Sequence, residues 1–266
     1  MSLLRVYRQL FTAQFQTAAQ YRIQFLLWML FSVIRPTIFL AAWVAVASAR
    51  GGAVAGYTAA DFAGYYIALA LVLHLTTAWN SYEFEYDVRH GRLSGKLLRP
   101  LHPLHYAVVE NQVFKVVTLP ALGLALLLLA ATFGARFDIE WWHAALFLPS
   151  VALAWGLNFM LGWVVATAAF RMTRMETLNT VLQRTSFVFA GQIAPVALMP
   201  DALLAVCYAL PFYYVLGAPA EILRGDADLA RALLLIGVQA GWLLVTCWAF
   251  RVLWRRGLAH YSAVGA

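Results

Sequence analysis

Apolar runs alternate with short polar segments along the whole chain, and the runs are long enough to cross a lipid bilayer. Six of them approach or exceed the roughly 18 to 25 residues that a membrane-spanning helix needs. They cover residues 23–49, 62–80, 106–133, 144–170, 181–198 and 229–253. The pattern predicts an all-α polytopic membrane protein with six transmembrane helices, in a single transmembrane domain over residues 1–266.

The segment 1–22 precedes the first run and is amphipathic. Its large apolar side chains recur at helical spacing, at Leu4, Tyr7, Phe11 and Phe15. Arg5 and Arg8 lie among polar neighbours on the same stretch. This pattern predicts a helix that lies along the cytoplasmic surface of the membrane.

The longest polar segment, SYEFEYDVRHGRLSGKLLRPLHP over 81–103, separates the second and third runs. It holds three acids and four Lys or Arg, in a chain of which only 12% of residues are charged. Glu83, Asp87 and His90 share one helical face, Gly91 and Gly95 permit a turn, and Arg99-Pro100 closes the element. Its leucines are expected to press it against the lipid: Leu93, Leu97, Leu98 and Leu101. The segment is either a docking element for a soluble partner or an ordinary amphipathic connector.

Between the fifth and sixth runs, the apolar stretch 202–216 is short and is broken by Pro211. Such a stretch is typical of a re-entrant or interfacial hairpin rather than a full span. We therefore predict an extracellular re-entrant segment over 199–228.

The distribution of charge gives the orientation. With six spans and a cytoplasmic N-terminus, about fourteen of the 19 Lys and Arg fall on the inner side and four on the outer side. Counting 202–216 as a seventh span would place Arg251, Arg255 and Arg256 outside. Both termini are therefore expected in the cytoplasm, and membrane orientation explains the net charge of +7 better than nucleic-acid binding does.

The sequence shows no pattern of a catalytic or metal centre. GRLSGKLL lacks the spacing of a phosphate-binding loop, because three residues rather than four separate Gly91 from Gly95 and Leu97 follows Lys96. HExxH and GxSxG are also absent. Cys207 and Cys247 lie far apart without ligand spacing. We expect a non-catalytic chain without a metal or cofactor of its own.

A small polar set lies inside the predicted spans: Arg35, His74, Asn158, Gln192 and Gln239. For the three amides, hydrogen bonds between helices compete with contacts to a substrate. Arg35 is expected either to line a pathway or to extend towards one membrane surface, because a lipid-facing charge at mid-helix is costly. A proton relay through His74 needs a second titratable group at membrane depth, and we identify no intramembrane Asp or Glu that accompanies it.

Residues 91–101 carry a resemblance to a known family. Gly91-Arg92-Leu93-Ser94 through Leu97-Leu98-Arg99-Pro100-Leu101 resembles the G-x-L-S-x-x-L-L-R-P segment of ABC-2 type export permeases. It is closest to the bacterial six-span subfamily in which two permeases often occur with one ATPase. MPDALL, LPFYYVLGAPAEILRG and the terminal W-x-R-G-L-x-x-Y-S-A-V-G agree with it.

The resemblance implies a coupling helix within 82–103 that sits in a cleft of a separate ATPase subunit. The implied contacts are Glu83, Asp87, Arg89, Gly91, Arg92, Leu93, Leu98, Arg99 and Pro100. It also implies two permeases, identical or paralogous, with two ATPases that bind ATP and Mg. Together they would export an amphipathic, drug-like, lipidic or peptide substrate across the bacterial cytoplasmic membrane.

Two other classes compete with this interpretation. A secondary transporter or channel driven by an ion gradient would be favoured by broken helices in matching halves of the chain. An intramembrane enzyme would need acids, histidines or metal ligands that converge at one depth, and the sequence suggests none.

Overall fold

The computed structural model describes residues 3–172 and 175–259 and is built almost entirely from helices. The helices are α1 Leu3–Gln20, α2 Arg22–Ala49, α3 Ala59–Thr76, α4 Asn80–Arg89, α5 Arg92–Leu97, α6 Pro103–Phe133, α7 Trp141–Ala166, α8 Glu176–Phe189, α9 Asp201–Ala209, α10 Pro211–Arg224 and α11 Leu229–Leu258. Two 3-10 turns occupy Thr167–Phe170 and Val196–Leu198, and β1 Ala53–Val54 pairs antiparallel with β2 Tyr57–Thr58. Arg174 and the last residues of the terminal motif, 260–265, lie outside the described residues.

Long apolar helices form the membrane-crossing bundle. Within the described ranges, five segments are long and apolar enough to span a membrane: Arg22–Ala49, Ala59–Arg89, Pro103–Phe133, Trp141–Phe170 and Leu229–Leu258. Counting α9 and α10 together as one span raises the number to six. The predicted all-α polytopic fold is confirmed.

The predicted fifth span 181–198, which we call the fifth pass, is not among the described segments that are long and apolar enough to cross a membrane. Helix α8 starts earlier, at Glu176, and ends at Phe189, so its 14 residues cover about 21 Å. The chain then continues without regular helix, and Gly191 adopts a φ of 85°. Because irregular backbone at membrane depth must be hydrogen-bonded within the protein, its carbonyls need partners. Tyr65 donates to the Gly191 carbonyl at 2.7 Å, and Trp43 donates to that of Ile193 at 2.8 Å.

The bent pair lies where the hairpin was predicted. Helices α9 and α10 meet at 100°, on either side of Leu210. Near its start, α10 is held deep in the bundle, since Gln239 of α11 donates to the Tyr214 carbonyl at 2.8 Å. At the other end, the Arg224 carbonyl accepts from the Asp138 amide at 3.0 Å, in the α6–α7 loop. Helix α10 therefore runs from the interior to one end of the bundle.

The two ends of the bundle differ in character. The hairpin end, defined by the segments 50–58, 134–140 and 225–228, holds a core built around α3 and α10. The basic end, defined by 89–102, 171–172 and 251–259, holds a separate cluster of buried aromatic residues. Arg8 and Arg5 of α1 are exposed, and α1 packs its other face on α6 through Tyr7, which bonds His105 at 2.6 Å.

Gly64 of α3 lies where the chain after α6 crosses the helix. A Cβ atom at this position would overlap the backbone carbonyl oxygen of Arg136, which cannot move aside like a side chain. We expect Gly64→Ala to lower the free energy of unfolding by about 1–3 kcal/mol. The measurement is the thermal unfolding of the purified protein in detergent.

Gly123 of α6 is the matched control, because a Cβ there meets no atom within 4 Å. Gly123→Ala should be neutral or raise the free energy of unfolding by up to about 1 kcal/mol, since alanine is the better helix former. Equal stability of the two variants would contradict the packing of α3 against the α6–α7 loop.

Candidate functional site

Helices α4 and α5 and the turn that follows them form one compact unit at the basic end, which we call the α4–α5 element (80–100). Helix α4 continues the second span after a break at 77–79. It stops at Arg89, and Gly91 then adopts a φ of 69°, a left-handed conformation that suits glycine. The turn predicted at Gly91 is therefore present. Gly95 lies inside α5, so the turn predicted there was wrong.

Side-chain bonds brace the α4–α5 element. The Asp87 carboxylate on α4 is buried and accepts from the Lys96 ammonium on α5. Glu85 accepts from the backbone amide of Met175 at 3.1 Å, which ties α4 to the segment before α8. The first bond joins α4 to α5, and the second joins α4 to the segment before α8.

Leu93 anchors α5 in the aromatic cluster of the basic end. Its side chain is 0% exposed, so it packs inside the protein and not against lipid as predicted. The same cluster holds Phe84 of α4, whose ring lies 5.2 Å from Trp163 of α7, 5.5 Å from Phe170 and 5.5 Å from Trp254 of α11. The α4–α5 element is therefore in direct contact with α7 and α11 through Phe84.

The nine residues expected at an ATPase contact divide into two groups. Glu83, Asp87 and Leu93 point inward, and Glu83 accepts from Trp79 at 2.8 Å and lies within hydrogen-bonding reach of Glu110. Apart from the turn residue Gly91, the others are exposed: Arg89, Arg92, Leu98, Arg99 and Pro100. The exposed group forms the accessible face of the element, which we call the outer face, and the inward group supports it.

Sequence reasoning missed several residues of this element. Tyr82 and Tyr86 are exposed on α4 beside the outer face, and the Arg92 guanidinium lies 5.5 Å from the Tyr86 ring. Lys96 supplies the brace to Asp87. The spacing of Tyr82, Tyr86 and Arg89 on one helical face was the available signal.

A polar group surrounds the break in the second span. His74 is fully buried, with Nδ1 at 3.3 Å from the Ser32 hydroxyl of α2 and Nε2 at 2.9 Å from the Thr118 hydroxyl of α6. Asn158 of α7 donates to the Thr76 carbonyl at 2.9 Å, the last carbonyl of α3. These bonds tie three other helices to the end of α3. The Asn158 amide also satisfies the Thr76 carbonyl, which the break leaves without a helical partner.

Charged residues inside α6 were missing from the predicted polar set. Lys115 is only 4% exposed, and its ammonium has no hydrogen-bond partner among the described residues. It lies 5.2 Å from the Trp155 ring of α7. Glu110 also lies within α6, near the start of the helix and beside Glu83. Both residues could have been found by reading the third apolar run residue by residue instead of by its average.

The remaining predicted residues lie in three different places. Gln239 is buried and joins α11 to α7, where the Ser150 hydroxyl donates to it at 3.0 Å. Gln192 is buried in the irregular part of the fifth pass. Arg35 lies at the middle of α2 and is exposed, with its guanidinium 5.6 Å from the Phe187 ring of α8. The structure therefore does not gather the five residues into one site.

The long apolar helices, the bent pair and the polar element at one end define a multi-pass α-helical membrane protein. The chain belongs to the ABC-2 family: the family described as "ABC-2 family transporter protein" matches residues 31–265, which excludes only α1 and the first third of α2 among the helices. A comparison with curated proteins gave no match. The family resemblance read from the sequence is confirmed.

Proposed function

We propose that the chain is the non-catalytic membrane subunit of an ATP-driven exporter in the bacterial cytoplasmic membrane. A separate ATPase, which binds ATP and Mg, docks on the outer face of the α4–α5 element. A second permease completes the pathway for an amphipathic, drug-like, lipidic or peptide substrate. In this arrangement the basic end and both termini are cytoplasmic, in keeping with the excess of Lys and Arg there.

The observation that carries this proposal is the anchoring of the α4–α5 element. Its outer face offers Arg92, Leu98 and Arg99 to a partner, and Leu98 is 89% exposed. Its inner face is fixed to the long helices α7 and α11 through Leu93 and Phe84. An exposed surface rigidly joined to membrane helices suits an element that receives force from a soluble subunit.

The face shared by α2 and α8 supports a pathway beside a second permease. Arg35 is exposed at the middle of α2, and Gln183 and Arg184 are exposed on α8. A single charge facing lipid at that depth costs roughly 2.5–3.5 kcal/mol on insertion scales. We therefore assign this face to a water-containing pathway, with alternation between inward-open and outward-open arrangements driven by the ATPase.

A pull-down from native membranes tests the proposal. A P-loop ATPase is expected to co-purify with the tagged chain, and Arg92→Glu/Arg99→Glu should remove it at unchanged membrane expression. The control Arg50→Glu/Arg136→Glu makes the same change of charge at exposed positions of the hairpin end and should retain the ATPase. Solute movement along an ion gradient by the protein alone, with no ATPase recovered, would replace the exporter by a carrier.

The pathway predicts which engineered cysteines react in intact membranes. In a Cys207→Ser/Cys247→Ser background, Phe187→Cys should react with a water-soluble maleimide, because Phe187 of α8 contacts Arg35 and Phe39 of α2. The thiolate that reacts forms only in contact with water. Leu244→Cys is the control, since Leu244 is 71% exposed on α11 but faces lipid in this arrangement. Equal labelling of the two positions would contradict a wet α2–α8 face.

A further inference from the structure

A shallow cavity, broadly open to its surroundings, lies at the basic end between the start of α6 and the end of α11. Its volume is about 290 Å³. Both aromatic and basic side chains line it: His102, His105, Phe250, Arg251, Trp254 and Arg255. Phe250 and Trp254 are buried and form its floor, whereas the two arginines are exposed at its rim. The cavity is therefore apolar at the bottom and positively charged at the opening.

The two arginines are available for a ligand. Arg251 and Arg255 lie one helical turn apart, and none of the ion pairs in the described part of the chain involves either of them. No acidic side chain lines the cavity. Burial lowers the pKa of His102, and neighbouring His105 lowers it further, so His102 is neutral. Its Nδ1 accepts from the Leu104 amide at 3.1 Å, which leaves Nε2–H as a donor.

The same face of α11 continues into the membrane region as an exposed apolar strip. At about 100° per residue, Leu244, Trp248, Arg251 and Arg255 fall within about 60° of one another around the helix axis. Leu244 and Trp248 are 71% and 67% exposed. Gly241 and Gly237 lie one and two helical turns before Leu244, towards the hairpin end. Both are exposed, and a Cβ atom at either position would meet no atom within 4 Å. Beyond Leu244 and Trp248, the two glycines leave a part of the strip with little side-chain bulk, which we call the groove.

We propose that this face of α11 binds an anionic phospholipid, with its phosphate at Arg251 and Arg255 and an acyl chain along Leu244 and the two glycines. Guanidinium groups bind phosphate oxygens through paired hydrogen bonds. Basic pockets between transmembrane helices suit anionic headgroups, and tryptophan favours the membrane boundary. The assignment is independent of the proposed pathway, which uses α2 and α8.

Two other occupants of this face fit the arrangement less well. Free phosphate would use the arginines but leave the apolar groove unoccupied. A second copy packed in parallel on Gly237 and Gly241 would bring Arg251 and Arg255 close to their own counterparts. Like charges so placed repel each other. An anionic lipid fits both the arginines and the apolar part of this face.

Native mass spectrometry of the intact detergent-solubilised assembly tests the assignment. Phosphatidylglycerol and phosphatidylcholine are titrated in parallel, and bound lipids are counted. We expect retention of phosphatidylglycerol in preference to phosphatidylcholine, and an apparent affinity about 30-fold lower in Arg251→Gln/Arg255→Gln, because each surface arginine contributes about fivefold. Arg251→Lys/Arg255→Lys should bind with intermediate affinity, since the charge remains but the paired hydrogen bonds of the guanidinium groups are lost.

Control variants separate the occupants of the face. Arg50→Gln/Arg136→Gln removes the same charge at the hairpin end and should leave the lipid count unchanged. Gly237→Leu/Gly241→Leu fills the groove and should lower binding without changing the charge. Unchanged binding in Arg251→Gln/Arg255→Gln, or displacement of the lipid by millimolar inorganic phosphate, would overturn the proposal. The proposal would also be overturned if Gly237→Leu/Gly241→Leu altered the oligomeric state but not the number of bound lipids.

Discussion

Replacing Leu93 with Ala is expected to lower the free energy of unfolding by about 2–5 kcal/mol, because it removes a fully buried side chain and leaves a cavity in the aromatic cluster. The outer face of the α4–α5 element would keep its charged residues. The ATPase should therefore still co-purify, while the permease loses much of its effect on the rate of ATP hydrolysis. Thermal unfolding and the ATPase rate of the reconstituted assembly measure the two effects.

Leu98→Ala provides the matched control for Leu93→Ala. It deletes the same atoms five residues along, at a side chain that is 89% exposed. Stability should stay within about 0.5 kcal/mol of the parent protein, whereas ATPase co-purification should weaken because the outer face changes. If both leucines behaved alike in stability, the orientation of α5 would be wrong. Unaltered regulation of ATP hydrolysis in Leu93→Ala would exclude α5 as the mechanical link.

Replacing Lys115 with Met is expected to stabilise the protein. The ammonium lies inside α6, about 18 Å from the start of the helix, without a hydrogen-bond partner among the described residues. An uncompensated charge at membrane depth costs roughly 2.5–3.5 kcal/mol on insertion scales, and methionine has a similar shape without the charge. The apparent melting temperature in detergent and in lipid nanodiscs measures the gain.

Replacing Lys96 with Met, by contrast, is expected to destabilise the protein. Lys96 is partly exposed and pairs with buried Asp87, so Lys96→Met leaves the Asp87 carboxylate without its partner. A loss of stability in Lys115→Met would show that its ammonium is compensated, by the Trp155 ring or by a bound anion. A gain in stability together with a loss of transport would identify Lys115 as a residue retained for function at the expense of stability.

Much of the architecture could be predicted from the sequence because it depends on local properties. The apolar runs, the polar segment and the proline at 211 set the long helices, the α4–α5 element and the bent pair. The motif at 91–101 indicated the family that the match over 31–265 confirms. The division of the chain into the functional segments 1–22, 82–103 and 199–228, and the roles of the residues within them, stay predictions.

Only the tertiary structure decided which side of each element is buried. Leu93 and Leu98 belong to one motif, yet Leu93 lies inside the aromatic cluster with residues of α7 and α11, whereas Leu98 is exposed. Lys115 was hidden within an apolar run, since average hydropathy does not report the position of a single charge.

The limit of prediction from the sequence alone is clearest in the fifth pass. Its helix stops at Phe189, and the irregular backbone that follows is stable because Tyr65, Tyr66 and Trp43 donate to its carbonyls. Those donors lie more than a hundred residues away in the chain. The sequence by itself therefore determined where the chain is apolar enough to enter the membrane and which family it belongs to. The tertiary structure decided where helices break and which polar groups are buried, because hydrogen-bond partners distant in sequence make those arrangements stable in lipid.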